Sequence, residues 1–469
     1  MEIVGTSRQG TSSGNGDASI DMVGLVKSIR EKSDKLSCPS PECCIYEVPK
    51  TLKKINEDAN TPRTVSIGPL HHGKAGLKHM EEHKLRYFND FMQRSGKSLE
   101  ELVQIMEEME KRIRECYVET INLKSEIFLK IILVDAAFII EVLLRYRFPD
   151  LIITPKDRIF RKPWMISYIK HDLFLLENQI PFFVLQDLFE MINIQMAFQF
   201  SPNETLLNPF IDFTLNWFKS YSYLEVQELQ VPEHINPSEI KHILDFLRIC
   251  LIPKQSSQPS EEKNPSEVKQ SNVFPRSFIP RQSSQQNERK FDRPSATELH
   301  EARVKFKSSS KNLFDIKFSG NILEIPHTRI VDSTEHLLRN IIAYEQCHYD
   351  VTFFGAYTMI MDYLINTSKD VELLVQAKFI ENWLSDNGDV SNLFNGLSKE
   401  VNVKLEEYYF TKLHEELNDY SEIPSHKWKA TLRQDYCHTP WRVLSITVAA
   451  ILLGLTFIQS LCSLVSCNK

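Results

Sequence analysis

The stretch Val443–Val465, VLSITVAAILLGLTFIQSLCSLV, constrains this chain more than any other part of it. It holds no acidic or basic residue. As a helix rising 1.5 Å per residue it would cover about 34 Å, enough for a hydrocarbon layer of about 30 Å. A helix satisfies its own backbone groups, which lipid requires. Trp441 stands just before the run, where an indole favours the interface. The competing reading is a buried core helix, but only Ser466–Lys469 follow to cover one. The run therefore predicts one C-terminal transmembrane helix, with membrane lipid as the partner of Val443–Val465. Lys427, Lys429, Arg433 and Arg442 precede it and Lys469 alone follows. That asymmetry predicts a single-pass protein of the plasma membrane or an endomembrane, with its body in the cytosol. The front end, MEIVGTSRQGTSSGNGDASI, lacks the apolar core of a signal peptide. The sequons at Asn203 and Asn366 would matter only to a lumenal body.

Composition removes several function classes. A formal net charge of -7 argues against a nucleic-acid grip, so no nucleic-acid partner is expected. Neither G-x-G-x-x-G nor G-x-x-x-x-G-K-[ST] occurs. The nine cysteines are irregularly spaced and offer neither a disulfide scaffold nor a C-x-x-C zinc framework.

Three regions emerge along the chain: a disordered leader (1–40), a helical globular body (41–440) and the span (443–465). Cys44–Pro49 and Val65–Pro69 read as edge strands or extended loops, each closed by proline. Leu102, Met106, Met109, Ile113 and Cys116 fall at helical spacing. Ile127–Tyr146 is apolar nearly all round and predicts a central core helix; Lys130, Asp135 and Glu141 argue against a second span. Asp172–Phe189 reads as another buried helix, kinked or divided at Pro181. From about 253 to 297 Ser, Gln, Pro, Glu and Lys dominate, as a disordered insertion would. Leu313–Phe318 and Ile322–Ile325 flank Ser319-Gly320-Asn321, a hairpin signal. Helical patterns resume after it, with Asp370 a plausible N-cap. The fold class predicted is α+β, predominantly α-helical, with a small antiparallel hairpin or sheet element.

At DLFLLENQIPFF the chain resembles a plant family, that of domain of unknown function 247. IYEVPKTL, VSIGPLHHG, the MEEHKLRYF run, SATELHEARVKF, ILEIP, NIIAYEQC, FFGAYTMIMDYLINTSKDVELL and CHTPWRVLS fit in the same order. The resemblance covers about Cys44 to the end. It implies a plant protein with a C-terminal membrane helix and no established chemistry. Some grass members are implicated in pollen-side self-incompatibility, and others are linked to growth or stress responses.

Two sets of residues invite chemistry. His79-Met80-Glu81-Glu82-His83 matches H-x-x-E-H; on a helix His79 and His83 would lie one turn apart, with Glu82 as base beside a zinc ion. A surface or capping histidine pair is the favoured reading, since no third ligand stands out. Asp135, Glu141, Asp172 and Glu177 are acids within apolar stretches, costly unless paired or hydrogen-bonded. A buried structural network is favoured over a cation or proton site: Glu141 can pair with Arg145, Asp172 can cap a helix, and Glu177-Asn178-Gln179 can satisfy backbone at a helix break. No catalytic residue and no cofactor is expected. The leading function is a membrane-anchored, non-catalytic recognition or signalling component whose protein partner is unknown. The alternative is a metal- or carboxylate-dependent enzyme.

Overall fold

The structure, a computed structural model, describes residues 22–33, 40–152, 157–192, 208–219, 235–253, 294–309, 312–404, 408–422 and 440–466. Most of the expected insertion, 254–293, lies outside the described residues, as do 1–21 and 34–39 of the expected leader. The chain divides into two compact units, Met1–Cys43 and Cys44–Lys469. In the first, the described residues form one helix, α1 (Met22–Ser33).

The second unit is predominantly helical α+β. Its helical frame starts with α2 (Lys50–Lys53), a 3-10 turn over Ala75–Met80, α3 (Glu81–Ser95) and α4 (Leu99–Glu115). Gly96, at φ 64°, closes α3 in the left-handed region that glycine adopts without strain. Ser98 then opens α4 through a capping box with Glu101. Leu102, Met106 and Ile113 carry the apolar stripe of α4 into the core. The expected central helix is α5 (Ser125–Arg147), buried almost continuously from Phe128 to Arg145. Helices α3 and α4 pack on it, as do α7 (Phe182–Glu190) and α8 (Pro209–Lys219).

The stretch expected as one helix from Asp172 to Phe189 is not one. Helix α6 (Pro163–Asp172) ends where that helix should start, and Leu173–Pro181 runs as turns before α7. Pro181 explains the start of α7, because its fixed φ and missing donor suit the edge of a helix. The earlier break follows from side chains: Asn178 donates to the Asp172 carbonyl, and Gln179 to those of Leu173 and Leu175. These amides offer the backbone an alternative to helix.

Beyond α9 (Ile243–Leu251) and α10 (Ala296–Glu301) come the strands. The hairpin forms: β2 (Lys317–Ser319) pairs antiparallel with β3 (Ile322–Pro326) around Gly320. Strand β1 (Lys305–Ser309) adds to the other edge of β3 in parallel, so the three-stranded sheet is mixed. A second, parallel pair joins β4 (Thr328–Ile330) to β5 (Ile380–Asn382). Between and after them lie α11 (Thr334–His348), α12 (Phe353–Leu364), α13 (Ser368–Gln376), α14 (Asn387–Leu397) and α15 (Thr411–Glu422). The N-cap of α13 is Thr367; Asp370 completes the capping box from N3, since it lies inside the first turn.

Helix α16 (Pro440–Ser466) occupies the apolar C-terminal stretch. Here the transmembrane expectation is corrected. Among the described residues, no helix is long and apolar enough to cross a membrane. Thr456 of α16 keeps its hydroxyl on the Leu452 carbonyl at 3.0 Å.

Candidate functional site

Thr61-Pro62 leads into Arg63–Gly68, a mostly buried segment without regular secondary structure that belongs to no sheet. Buried backbone outside a helix or sheet has no ladder for its donors and acceptors. Here side chains take the place of the missing strands. Asp172, at the end of α6, accepts the amides of Arg63 (2.9 Å), Thr64 (2.7 Å) and Val65 (2.8 Å). Asn178 accepts from Ile67 N (2.7 Å) and donates to Val65 O (3.1 Å). Asp135, from the middle of α5, accepts from Gly68 N (2.8 Å). Lys84 of α3 donates to Ser66 O (2.8 Å) and to Asp135 (2.6 Å), and also pairs with Glu81 (2.7 Å). Lys84 is completely buried.

The turn that supplies these groups is itself held from several sides. Leu176 N donates to Asn340 of α11, which in turn holds the Ala59 carbonyl at 2.8 Å. Tyr117 donates to Gln179 O (3.1 Å) and Phe182 N to Lys241 O (2.8 Å). Glu177 accepts from Val48 N (2.9 Å) and Lys53 (2.8 Å) and faces the His71 Nε2 at 3.0 Å. The VSIGPLHHG and DLFLLENQIP stretches are thus the two halves of one clamp. Gly68 sits at its tightest point, at φ +71°, where a Cβ would lie 2.7 Å from Gln179 O and 3.1 Å from the Tyr117 hydroxyl.

The four predicted acids are all buried, and they serve different neighbours. Asp135 and Asp172 both hold Arg63–Gly68, while Glu177 reaches the clamp through Val48, Lys53 and His71. Glu141 stands apart, on Arg94 (2.8 Å) and on Arg145 one turn along α5 (3.4 Å). Arg145 also pairs with Asp90 and Asp157 and lies over the Tyr87 ring, 3.6 Å from its centroid. Burial pushes the Asp135 carboxyl up to about 6, against the pull of Lys84 and Gly68 N. Burial likewise lifts Asp172 to about 6, against its three amide donors. Burial opposes the Lys84 ammonium too, but Asp135 and Glu81 outweigh it and hold its pKa above the ordinary lysine range. Glu177 goes the other way. Its burial is overcome by hydrogen bonds from His71, Lys53 and Val48, and it falls to about 2.

His79 and His83 do not share a helix. The 3-10 turn carries His79, whose Nδ1 lies 3.0 Å from Gly76 O, and α3 begins only at Glu81. Glu82 pairs with Arg86 on the surface. Among the described residues no group of three or more His, Cys, Asp and Glu side chains is placed to hold a metal.

Another buried acid escaped the sequence reading. Glu345 of α11 accepts from Arg248 Nε (2.9 Å) and from the amides of Phe353, Phe354 and Gly355 (3.1, 2.8 and 3.2 Å). The N-cap residue of α12, Thr352, caps nothing with its side chain, so Glu345 supplies the missing acceptor from another helix. An acid inside the apolar NIIAYEQC stretch, followed by a helix without its own cap, is the signal that could have found it. Lys84 carried less of one, being one lysine in the charged run that opens α3.

A helical α+β body, two small sheets and an internal set of carboxylates that hold backbone define the class. The plant protein of unknown function model, DUF247, matches residues 45–455, and this chain belongs to that family. The UPF0481 protein At3g47200 of Arabidopsis thaliana is 30% identical over 456 residues, covering 92% of this chain and 88% of that protein. The putative UPF0481 protein At3g02645 of the same plant is 26% identical over 511 residues, covering 93% of each. No solved structure matches the chain significantly.

Proposed function

We propose that this protein is a non-catalytic recognition or signalling component, of the kind that serves self-recognition or growth and stress regulation, and that its helical body presents a rigid surface to a protein partner. One observation carries the reading. The acids that apolar surroundings would otherwise tune for catalysis are taken up by backbone amides and buried cations. Asp172 alone accepts from three amides, leaving little of its acceptor capacity for a substrate. Large aromatics meanwhile stand outward on formed elements: Trp164 (52% exposed) and Tyr168 on α6, and Trp383 (62%) beside β5. The Trp383 indole donates to Glu381 (2.7 Å), and the Arg329 guanidinium lies 4.9 Å from its centroid, so little ordering remains to be done on binding.

Proximity labelling from the full chain in its own tissue tests the reading. Replacing Trp164 and Trp383 together by Ala should remove the labelled partner and leave the unfolding midpoint unchanged. Labelling that is indifferent to both would overturn the surface. The enzyme alternative is tested by metal analysis of the purified chain: stoichiometric zinc, lost on His79→Ala with His83→Ala, would overturn the non-catalytic reading.

A further inference from the structure

We propose that Cys44 and Cys116 form a site of reversible disulfide closure. The two residues sit side by side where the second unit begins and where α4 ends. Ile45 and Tyr117 form an isolated parallel bridge, and Cys44 and Cys116 are the preceding pair in the same register. Cys44 N and Ile45 N both donate to Cys116 O at 2.9 Å, and Val118 N returns a bond to Ile45 O at 3.0 Å. Adjacent strands lie about 4.8 Å apart and opposed residues share a face, which falls within the roughly 4.4–6.8 Å Cα separation that a disulfide accepts.

The side chains bear this out. Both are free thiols and buried. Cys116 Sγ in turn lies 3.3 Å from the Arg112 carbonyl. Enclosed, the pair is inert until the segment opens locally. Glutathione disulfide is the oxidant class that suits it. The Cys116 thiolate attacks one sulfur of glutathione disulfide and expels a glutathione thiolate. The Cys44 thiolate then attacks Cys116 Sγ and expels the second. Two protein thiol protons end on two glutathione molecules, and two electrons pass from the protein sulfurs to the oxidant. Closure would staple the segment leading to α2 onto the end of α4, locking the face against which Glu177 holds Val48.

The full-length chain, equilibrated in glutathione redox buffers, alkylated and digested, tests this by mass spectrometry. The expected product is a Cys44–Cys116 cross-linked peptide that dithiothreitol removes and that Cys116→Ser abolishes. Oxidation should raise the unfolding midpoint of the wild-type chain and leave that of Cys44→Ala where it was. Cys44 and Cys116 staying fully alkylatable under oxidising poise, or pairing with other cysteines or with glutathione alone, would overturn the proposal.

Discussion

Glu177 is the residue whose charge the fold uses most directly. Its folded pKa of about 2 lies below the ordinary glutamate value, so its contribution is present in full above about pH 4.5 and is lost as pH falls towards 2. Glu177→Gln should therefore cost about 2 kcal/mol at neutral pH, after allowing for partial screening, and the gap to wild type should close on acidification through that window. Denaturant melts from pH 7 to pH 3 read it; a gap constant with pH would mean the charge contributes nothing. Asp135 poses a different test. Asp135→Leu alone leaves the Lys84 ammonium buried with only Glu81 as a charged partner, and should cost about 3–5 kcal/mol. Lys84→Met in the same chain should recover most of that loss, since apolar side chains then fill both places. A double variant as unstable as the single one would assign the cost to cavity or strain instead. The sequence made the four acids visible because acids in apolar helices are conspicuous. It hid their partners, because Lys84 lies 51 positions from Asp135 and Arg63–Val65 more than 100 from Asp172.

Among elements, Gly68 separates steric from conformational cost. Gly68 and Gly73 both have positive φ, 71° and 81°, but a Cβ at Gly73 would meet nothing within 4 Å. Gly73→Ala should cost about 1 kcal/mol from φ alone. Gly68→Ala should cost clearly more, by forcing the Gln179 carbonyl and the Tyr117 hydroxyl to move. Paired urea midpoints measure both, and equal losses would mean the clamp yields freely. Helix α5 was legible because its apolar residues run on past any one face. The Leu173–Pro181 turn was not, because its residues are as apolar as a helix and its hydrogen bonds depend on where Asn178 and Gln179 end up. The parallel pairing of β1 with β3 could not be read, since nothing local signals a parallel pairing.

For the molecule as a whole, hydrophobic periodicity and proline placement gave the fold class. The transmembrane assignment rested on the length and apolarity of Val443–Val465 and on its flanks, and the described residues contain no helix long and apolar enough to cross a membrane. What joins the distant stretches of the second unit is the clamp: α3, α5, the turn after α6 and α11 all spend polar side chains on the Arg63–Gly68 segment and on the turn that grips it. If that holds, Arg63–Gly68 cannot open without breaking the body. Amide hydrogen exchange on the full chain tests this most directly. The amides of Thr64, Val65, Ile67 and Gly68 should exchange only as slowly as those in the middle of α5, with the same dependence on denaturant. Fast exchange at these four while α5 stays protected would contradict the account, and would leave Asp135 and Asp172 free to meet a ligand.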